Sequence, residues 1–246
     1  MTARIDLAAA RVLVVGVGGL GAPIALALGQ AGVGTLGLAD DDEVDRTNLH
    51  RQVLFRDADV GRPKVAAGAE ALARRFPQLR VVAHPTRFLV ANAVDLARAY
   101  DIVVEGSDNF ATKFLTADAC KLAGRPAVQA AAIGWRGTVL AASPAGAPCY
   151  RCIFEDIPRE DAPNCAEAGV FGPVVGVVGA LAADLALRHL AGESVSGTLI
   201  TFDARGREPM RQRALRARPD CPLCGARPEI ARVDVRRYVA DTAAHD

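Results

Sequence analysis

Apolar residues in this chain form short unbroken runs alternating with longer apolar stretches of helical length. Val12–Val15 is such a run, stopped by Gly16, and predicts a strand buried on both faces; Ala22–Gln30 predicts an apolar helix. Thr35–Ala39 predicts a second strand, ending on Asp40. A polar stretch over 40–64 follows, long for a connection, and long loops of this kind tend to be functional or disordered. Pro63 then opens a helix to about Phe76, since proline suits a first helical turn. Val81–Ala83, Asp101–Glu105 and Ala127–Ala132 predict strands, separated by helices over Ala91–Ala99 and Phe110–Leu122, the latter closed by Gly124. Gly137–Ala142 predicts one more strand behind a short Gly-Trp-Arg-Gly turn, hence an antiparallel addition. Residues 143–172 have no period and read as a crossover loop. Val174–Leu190 is apolar nearly all round and so predicts a buried helix, with Gly172, Gly176 and Ala180 spaced to admit a close neighbour. Thr198–Phe202 is a last strand, and the basic tail from Arg205 reads as loop with a candidate strand near Val233.

The pattern predicts an α/β chain: a Rossmann-like, doubly wound, mainly parallel sheet with added antiparallel strands. It is expected to form a single domain over 1–246, with a nucleotide-binding half at 1–142 and a crossover loop, buried helix and tail at 143–246. Gly16, Gly18 and Gly21 give G-x-G-x-x-G between the first strand and helix, and Asp40 follows 24 residues after Gly16. Gly16 suits a tight turn, Gly18 lets backbone approach phosphate, and Gly21 lets the helix lie close to the strand. The helix N-terminus favours an anion, and Asp40 is placed for ribose hydroxyls. Strand–turn–helix corners use glycines for packing as well, so the strand before and the acid after carry the nucleotide reading.

Length and charge narrow the picture. The 246 residues are 51% hydrophobic and carry net charge +1, which gives no reason to expect nucleic acid or an acidic membrane surface as partner. The opening residues lack a signal-peptide core, and Val170–Ala183 offers 14 uncharged residues, short of the roughly 20 a bilayer needs. A cytoplasmic, membrane-free protein is expected, so its six cysteines suggest metal or chemistry over disulfides. Cys149-x-x-Cys152 and Cys221-x-x-Cys224 are two knuckles with 68 residues between Cys152 and Cys221. Two knuckles complete a closed tetrahedral zinc site. A redox C-x-x-C and four reduced core cysteines are the alternatives, although a redox site needs only one pair. Zn²⁺ here would pin a tail that lacks its own core. Cys120, within ACKLAG, reads as a buried structural residue.

Several motifs occur together in one order: GVGGLG at 16–21, LADDD ending at Asp42, NLHRQ at 48–52, GRPK ending at Lys64, SDN at 107–109, CYRC at 149–152, NCAEAGVFGPVVGVVG from Asn164, and CPLC from Cys221. Over about residues 11–225 the chain resembles the ThiF/MoeB family, bacterial relatives of ubiquitin-activating enzymes, and is nearer to ThiF through LADDD and GPVVGV. The resemblance implies ATP-dependent adenylation of the C-terminal glycine of a small ubiquitin-like sulfur carrier protein ending in Gly-Gly, with loss of pyrophosphate. It implies a homodimer and Mg²⁺ beside the ATP. Arg51 and Lys64 match the cations that neutralise phosphate charge, and Asp108 the Mg²⁺ ligand. Gly16, Gly18, Gly19, Gly21, Asp40, Asp42, Asn48, Gln52 and Asn109 complete the nucleotide site. Read locally, Asp41–Glu43 is a solvated acidic turn, Arg51 a surface ion pair, Lys64 a solvated cation and Asp108 a helix cap; jointly the motifs favour the site. Cys165, in the polar loop PNCAEAG, matches a position where some members bond covalently to carrier or sulfur, and others keep a cysteine they do not need.

Two other functions are open to the same residues. An NAD-dependent oxidoreductase shares the glycines and Asp40 but leaves NLHRQ and the knuckles without purpose. A catalytically weak carrier-binding subunit would dispense with Arg51, Lys64 or Asp108, and all three are present. With the chain ending at 246, a separate protein is expected to donate sulfur. The family's R-Y-x-R-Q segment, which reaches across the dimer to ATP, has no counterpart before Arg11. Five residues at about 3.3 Å each hold Arg11 some 16 Å from Gly16, and Arg4 is the other cation there.

Overall fold

The computed structural model describes residues 6–154, 156–157 and 169–238. The apolar runs all become strands of one sheet. β1 (Arg11–Val15), β2 (Thr35–Ala39), β3 (Arg80–His84), β4 (Ile102–Glu105) and β5 (Ala127–Ile133) are parallel, and β6 (Arg136–Ala142), β7 (Thr198–Asp203) and β8 (Met210–Ala214) extend the sheet antiparallel. The order is β3-β2-β1-β4-β5-β6-β7-β8, so the chain reverses direction between β1 and β4. Ligands of doubly wound sheets bind outside the carboxyl ends of the strands at such a reversal.

Alternation along each strand divides the core into two layers. Val12 and Val14 of β1 face a cluster built on α1 (Gly21–Gln30), α2 (Lys64–Arg75) and α5 (Gly172–Leu190). Leu13 and Val15 face α3 (Ala93–Arg98), α4 (Phe110–Ala123), both cysteine knuckles and Tyr238. Gly124 closes α4 at φ 66°, where a Cβ would be strained, and Arg125 N donates to Cys120 O at 2.8 Å.

Three expectations need correction. β8, sequence MRQRA, was expected as loop; all five residues are exposed, and pairing with β7 alone makes it a strand. Among the described residues no strand forms near Val233; a 3₁₀ turn at Val235–Arg237 follows. On α5 the close approach falls on Gly179, where a Cβ would lie 2.6 Å from Pro23 Cγ and 3.0 Å from Leu20 O of the α1 corner; Gly176 has nothing within 4 Å. Gly172 does meet backbone, at His50 O. α5 is buried on the faces carrying Val174, Val178, Ala182 and Leu185, while Val177 is 40% exposed. Among the described residues it is the one helix long and apolar enough to cross a membrane, and half of it is buried within this fold.

Candidate active site

A cleft of about 1020 Å³ opens at the carboxyl edge of β1 and β4. Its walls bring together Gly16, Gly18, Gly19, Asp40, Asp42, Asn48, Arg51, Gln52, Lys64, Asp108 and Asn109. Five separate stretches of sequence thus converge on one cavity. Gly21 stands behind them: a Cβ there would lie 1.8 Å from Gly16 O, so its bare backbone lets α1 close on the turn. The turn is also wedged from the other side, because a Cβ on Gly16, at φ 82°, would meet Ser107 N at 3.1 Å.

Asp40 caps β2 with both carboxylate oxygens occupied. Val17 N donates to Oδ2 at 2.7 Å and Asp42 N to Oδ1 at 2.9 Å, so Asp40 shapes the glycine turn besides facing the cleft. Burial pushes its carboxyl above the ordinary value, against the opposing pull of Lys64 and the Val17 and Asp42 N–H groups. Lys64 starts α2 almost fully buried, and its Nζ donates to Asp42 Oδ2 at 2.7 Å and lies 4.0 Å from Asp40 Oδ1. Lys64 is therefore ion-paired, unlike the solvated cation of the local reading. The acidic turn likewise holds cations, with Asp42 on Lys64 and Asp41 accepting from Arg87 Nε at 2.9 Å.

The long connection after β2 is ordered by short turns. Asp45 accepts from Thr47 N at 2.7 Å and caps a 3₁₀ turn at Arg46–Asn48, and Val44 N donates to Arg62 O at 2.9 Å. This places Arg51 over Gly19, its Cγ 3.5 Å from where a Cβ on that glycine would be. Gln52 is 3% exposed, and its Oε1 is buried with no hydrogen-bond partner among the described residues. Asn109 Oδ1 accepts from Thr112 N at 2.8 Å and caps α4, which relieves Asp108 of the cap role and commits one end of Asn109 to structure. The Asp108 carboxylate makes no hydrogen bond or ion pair among the described residues. An exposed, unpartnered carboxylate on the same cleft as the glycine turn suits Mg²⁺, which keeps most of its waters and takes one or two protein oxygens.

The cleft wall also carries Arg87, Phe88, Leu89, Val235 and Tyr238, which no motif marks, and Ser107, which the SDN motif includes without a role. Arg87–Leu89 follow β3, whose carboxyl end shares the edge with Asp40, so strand order was the available signal. Cys165 and Arg4 lie outside the described residues. Arg11 opens β1 at the far end from the cleft, with its guanidinium 5.4 Å from the Tyr100 ring.

The knuckles meet as anticipated. Cys149 Sγ lies 3.5 Å from Cys221 Sγ and 3.9 Å from Cys152 Sγ, and Cys152 Sγ lies 3.4 Å from Cys224 Sγ. All four sulfurs lie within 4.8 Å of one another. Zinc–sulfur bonds of about 2.3 Å in a tetrahedron put sulfurs about 3.8 Å apart, so the donor set fits Zn²⁺. Arg218 N points at Cys152 Sγ from 3.4 Å, a donor suited to thiolate charge. Cys120 is buried in the α4 layer, where desolvation pushes its thiol up and makes it inert.

Comparison with known proteins agrees with this geometry. The adenylyltransferase and sulfurtransferase MOCS3 of Mus musculus is 44% identical over 246 residues, 99% of this chain and 54% of the mouse protein. The sulfur carrier protein adenylyltransferase of Thermus thermophilus is 43% identical over 227 residues, 89% of this chain and 83% of that one. The chain spans about half the length of the mammalian relatives it matches. Escherichia coli MccB, crystallised with MccA-N7isoASN, superposes with a TM-score of 0.78 over 89% of this chain and 68% of its own, at 23% identity, and shares the fold. The model of the ThiF family matches residues 2–223, nearly all of the sequence that builds the cleft and the cysteine cluster, and the chain belongs to that family.

Proposed function

We propose that this chain adenylates the C-terminal glycine of a small ubiquitin-like sulfur carrier protein ending in Gly-Gly, using ATP and Mg²⁺, with sulfur delivered by a separate donor protein. A carboxylate oxygen of the carrier attacks the α-phosphorus, the bond from that phosphorus to the bridging oxygen breaks, and pyrophosphate leaves with its electrons. The observation that carries this reading is the convergence of the glycine turn, Arg51, Gln52, Lys64 and Asp108 on one cleft at the β1–β4 reversal. An oxidoreductase would leave the Asn48–Gln52 stretch, the unpartnered Asp108 carboxylate and the two cysteine knuckles without purpose.

Each group has a physical task. The attack brings anionic carboxylate toward anionic phosphate, so positioning and charge neutralisation supply most of the catalysis. Lys64 reaches phosphate by leaving Asp42, a contact already open to solvent on the Asp42 side. Arg51 lies over Gly19, beside the N-terminus of α1, where free N–H groups add to its charge. Gln52 lines the cleft with its Nε2 beside Gly18, where it can donate to a phosphate oxygen, and Asp40 keeps a lone pair on each oxygen for ribose hydroxyls. Asp108 would hold Mg²⁺, which would supply charge neutralisation for the phosphates of ATP. Zn²⁺ on the four cysteines would be structural, since no position is left open for substrate. The exposed Trp135–Phe171 stack, with ring centroids 4.2 Å apart, supports pairing of two copies as a homodimer.

The test is exchange of labelled pyrophosphate into ATP with a Gly-Gly-ended carrier and Mg²⁺. Exchange is expected with the intact chain, and Asp108→Ala and Arg51→Ala should each abolish it in folded protein. Absence of exchange with every carrier encoded beside this gene would overturn the reading.

A further inference from the structure

Beneath the Ser107–Asp108 turn lies a charged pair that the proposed chemistry does not touch. Glu105 ends β4 with no solvent exposure, and Lys113, in the first turns of α4, is 4% exposed. Lys113 Nζ donates to Glu105 Oε2 at 3.0 Å, to Oε1 at 3.2 Å and to Ala130 O on β5 at 2.6 Å. The same carboxylate also holds the turn: Ser107 N donates to Oε1 at 2.6 Å, and the Ser107 hydroxyl donates to that oxygen too. Withdrawing two charges from water is costly, and an apolar pair of equal volume would fasten β4 to α4 at least as well. An apolar pair could not accept the two donors of Ser107. The turn so held presses on the glycine turn, since a Cβ on Gly106 would lie 2.9 Å from Leu20 Cβ. Lys113 also cancels the charge of Glu105, which leaves Asp108 as the one negative charge this turn presents to the phosphates.

We propose that Glu105, clamped by Lys113, is a positioning residue: its carboxylate orients the Ser107–Asp108 turn so that Asp108 faces the Mg²⁺ that accompanies ATP. The proposal rests on the adenylation reading, and its test uses binding without carrier so that the two can fail separately. ATP affinity is measured by calorimetry with and without Mg²⁺. In Glu105→Gln the end that stands at Oε2 becomes a donor where Lys113 Nζ now donates from 3.0 Å, and this clash of donors drives the amide off its present position and loosens the Oε1 contacts to Ser107. Its Mg²⁺-free ATP affinity should stay close to that of the intact chain, while the affinity gained on adding Mg²⁺ falls by about tenfold or more, as misplacement near 1 Å can cost about 10²-fold in an oriented site. The double variant Glu105→Gln/Lys113→Gln removes the lone buried charge, so its melting temperature should recover while the Mg²⁺ gain does not. A Mg²⁺ gain that survives in Glu105→Gln, or returns together with stability in the double variant, would show a purely structural pair and overturn the proposal. An intact chain whose ATP affinity ignores Mg²⁺ would overturn the cation role of Asp108 and this proposal with it, whatever the exchange assay shows.

Discussion

Alanine placed at Gly21 and, separately, at Gly18 distinguishes packing from ligand approach within one turn. A methyl at Gly21 would stand 1.8 Å from Gly16 O and 2.8 Å from its carbonyl carbon. Carbon–oxygen contacts are comfortable at about 3.3 Å, so helix and turn must part by roughly 1.5 Å. The turn has nowhere to retreat: Gly16 N donates to Ala39 O at 2.9 Å, and Ser107 closes its other side. Overpacking costs about 1–3 kcal/mol, and with backbone on both sides the upper figure of about 3 kcal/mol applies. In a domain of this size each kcal/mol moves the melting temperature by about 2–4 °C, so Gly21→Ala should lose about 6–12 °C. A methyl at Gly18 meets only Gln52 Nε2, at 3.7 Å, an ordinary contact. Gly18→Ala should melt within about 2 °C of the parent. It should nevertheless bind ATP at least about tenfold more weakly, a loss of about 1.4 kcal/mol, because the methyl occupies the approach of phosphate to backbone. Scanning calorimetry reads the first effect and titration calorimetry the second. Gly18→Ala with undiminished ATP affinity would refute the phosphate role of this backbone, and an unshifted melting temperature in Gly21→Ala would refute the packing role.

Elemental analysis should find about one zinc per chain, and Cys221→Ser should lower zinc content and melting temperature together, since structural zinc contributes on the order of 10 kcal/mol. Iron, or no metal in freshly reduced protein, would remove the Cys₄ assignment. Cys165→Ser should leave pyrophosphate exchange intact and impair sulfur transfer to the carrier; normal transfer would make the thiol dispensable. Tyr238→Phe removes the hydroxyl that donates to Asp118 Oδ2 at 2.7 Å. A hydrogen bond to a buried charge is worth about 2 kcal/mol, so a fall of about 4–8 °C is expected, and an unchanged melting temperature would show that the tail is held by other contacts.

The parallel half of the sheet was legible because strands buried on both faces must be apolar throughout, and Val12–Val15 and Ile102–Val104 are. The site was legible for a related reason: residues at the carboxyl ends of β1, β2 and β4 are brought together by strand order alone, so Gly16, Asp40 and Asp108 meet in one cleft. β8 was illegible because Met210–Ala214 buries no face, and its pairing with β7 is a property of the partner strand. The spacing of Gly172, Gly176 and Ala180 marked one stripe of α5, but the direction from which α1 arrives decides which small residue matters, and it arrives at Gly179. Buried ion pairs were equally hidden. Asp118 and Lys113 each stand amid apolar neighbours on α4, and their partners come from Arg151, 33 residues on, and from the end of β4.

The Arg151–Asp118 pair joins the cysteine cluster to the cleft. Arg151 lies between Cys149 and Cys152 in sequence and grips both oxygens of Asp118, at 2.8 and 2.9 Å, while its guanidinium lies 4.7 Å from the Phe114 ring centroid. Tyr150, its neighbour in the knuckle, packs edge-on against Phe114 at 5.2 Å. Both contacts are to α4, the helix that follows Asp108 and is capped by Asn109. Tyr238 completes the same carboxylate from the tail and lines the cleft with Val235. A buried carboxylate shared by an arginine and a tyrosine cannot lose one partner without leaving charge or lone pairs unsatisfied, so knuckle, helix and tail hold together as one body. Loosening the knuckle therefore acts on the wall of the cleft as well as on the tail, and Cys221→Ser should weaken ATP binding even where enough of the fold survives to be measured. Loss of zinc with ATP affinity unchanged would show that α4 keeps its place without the knuckle.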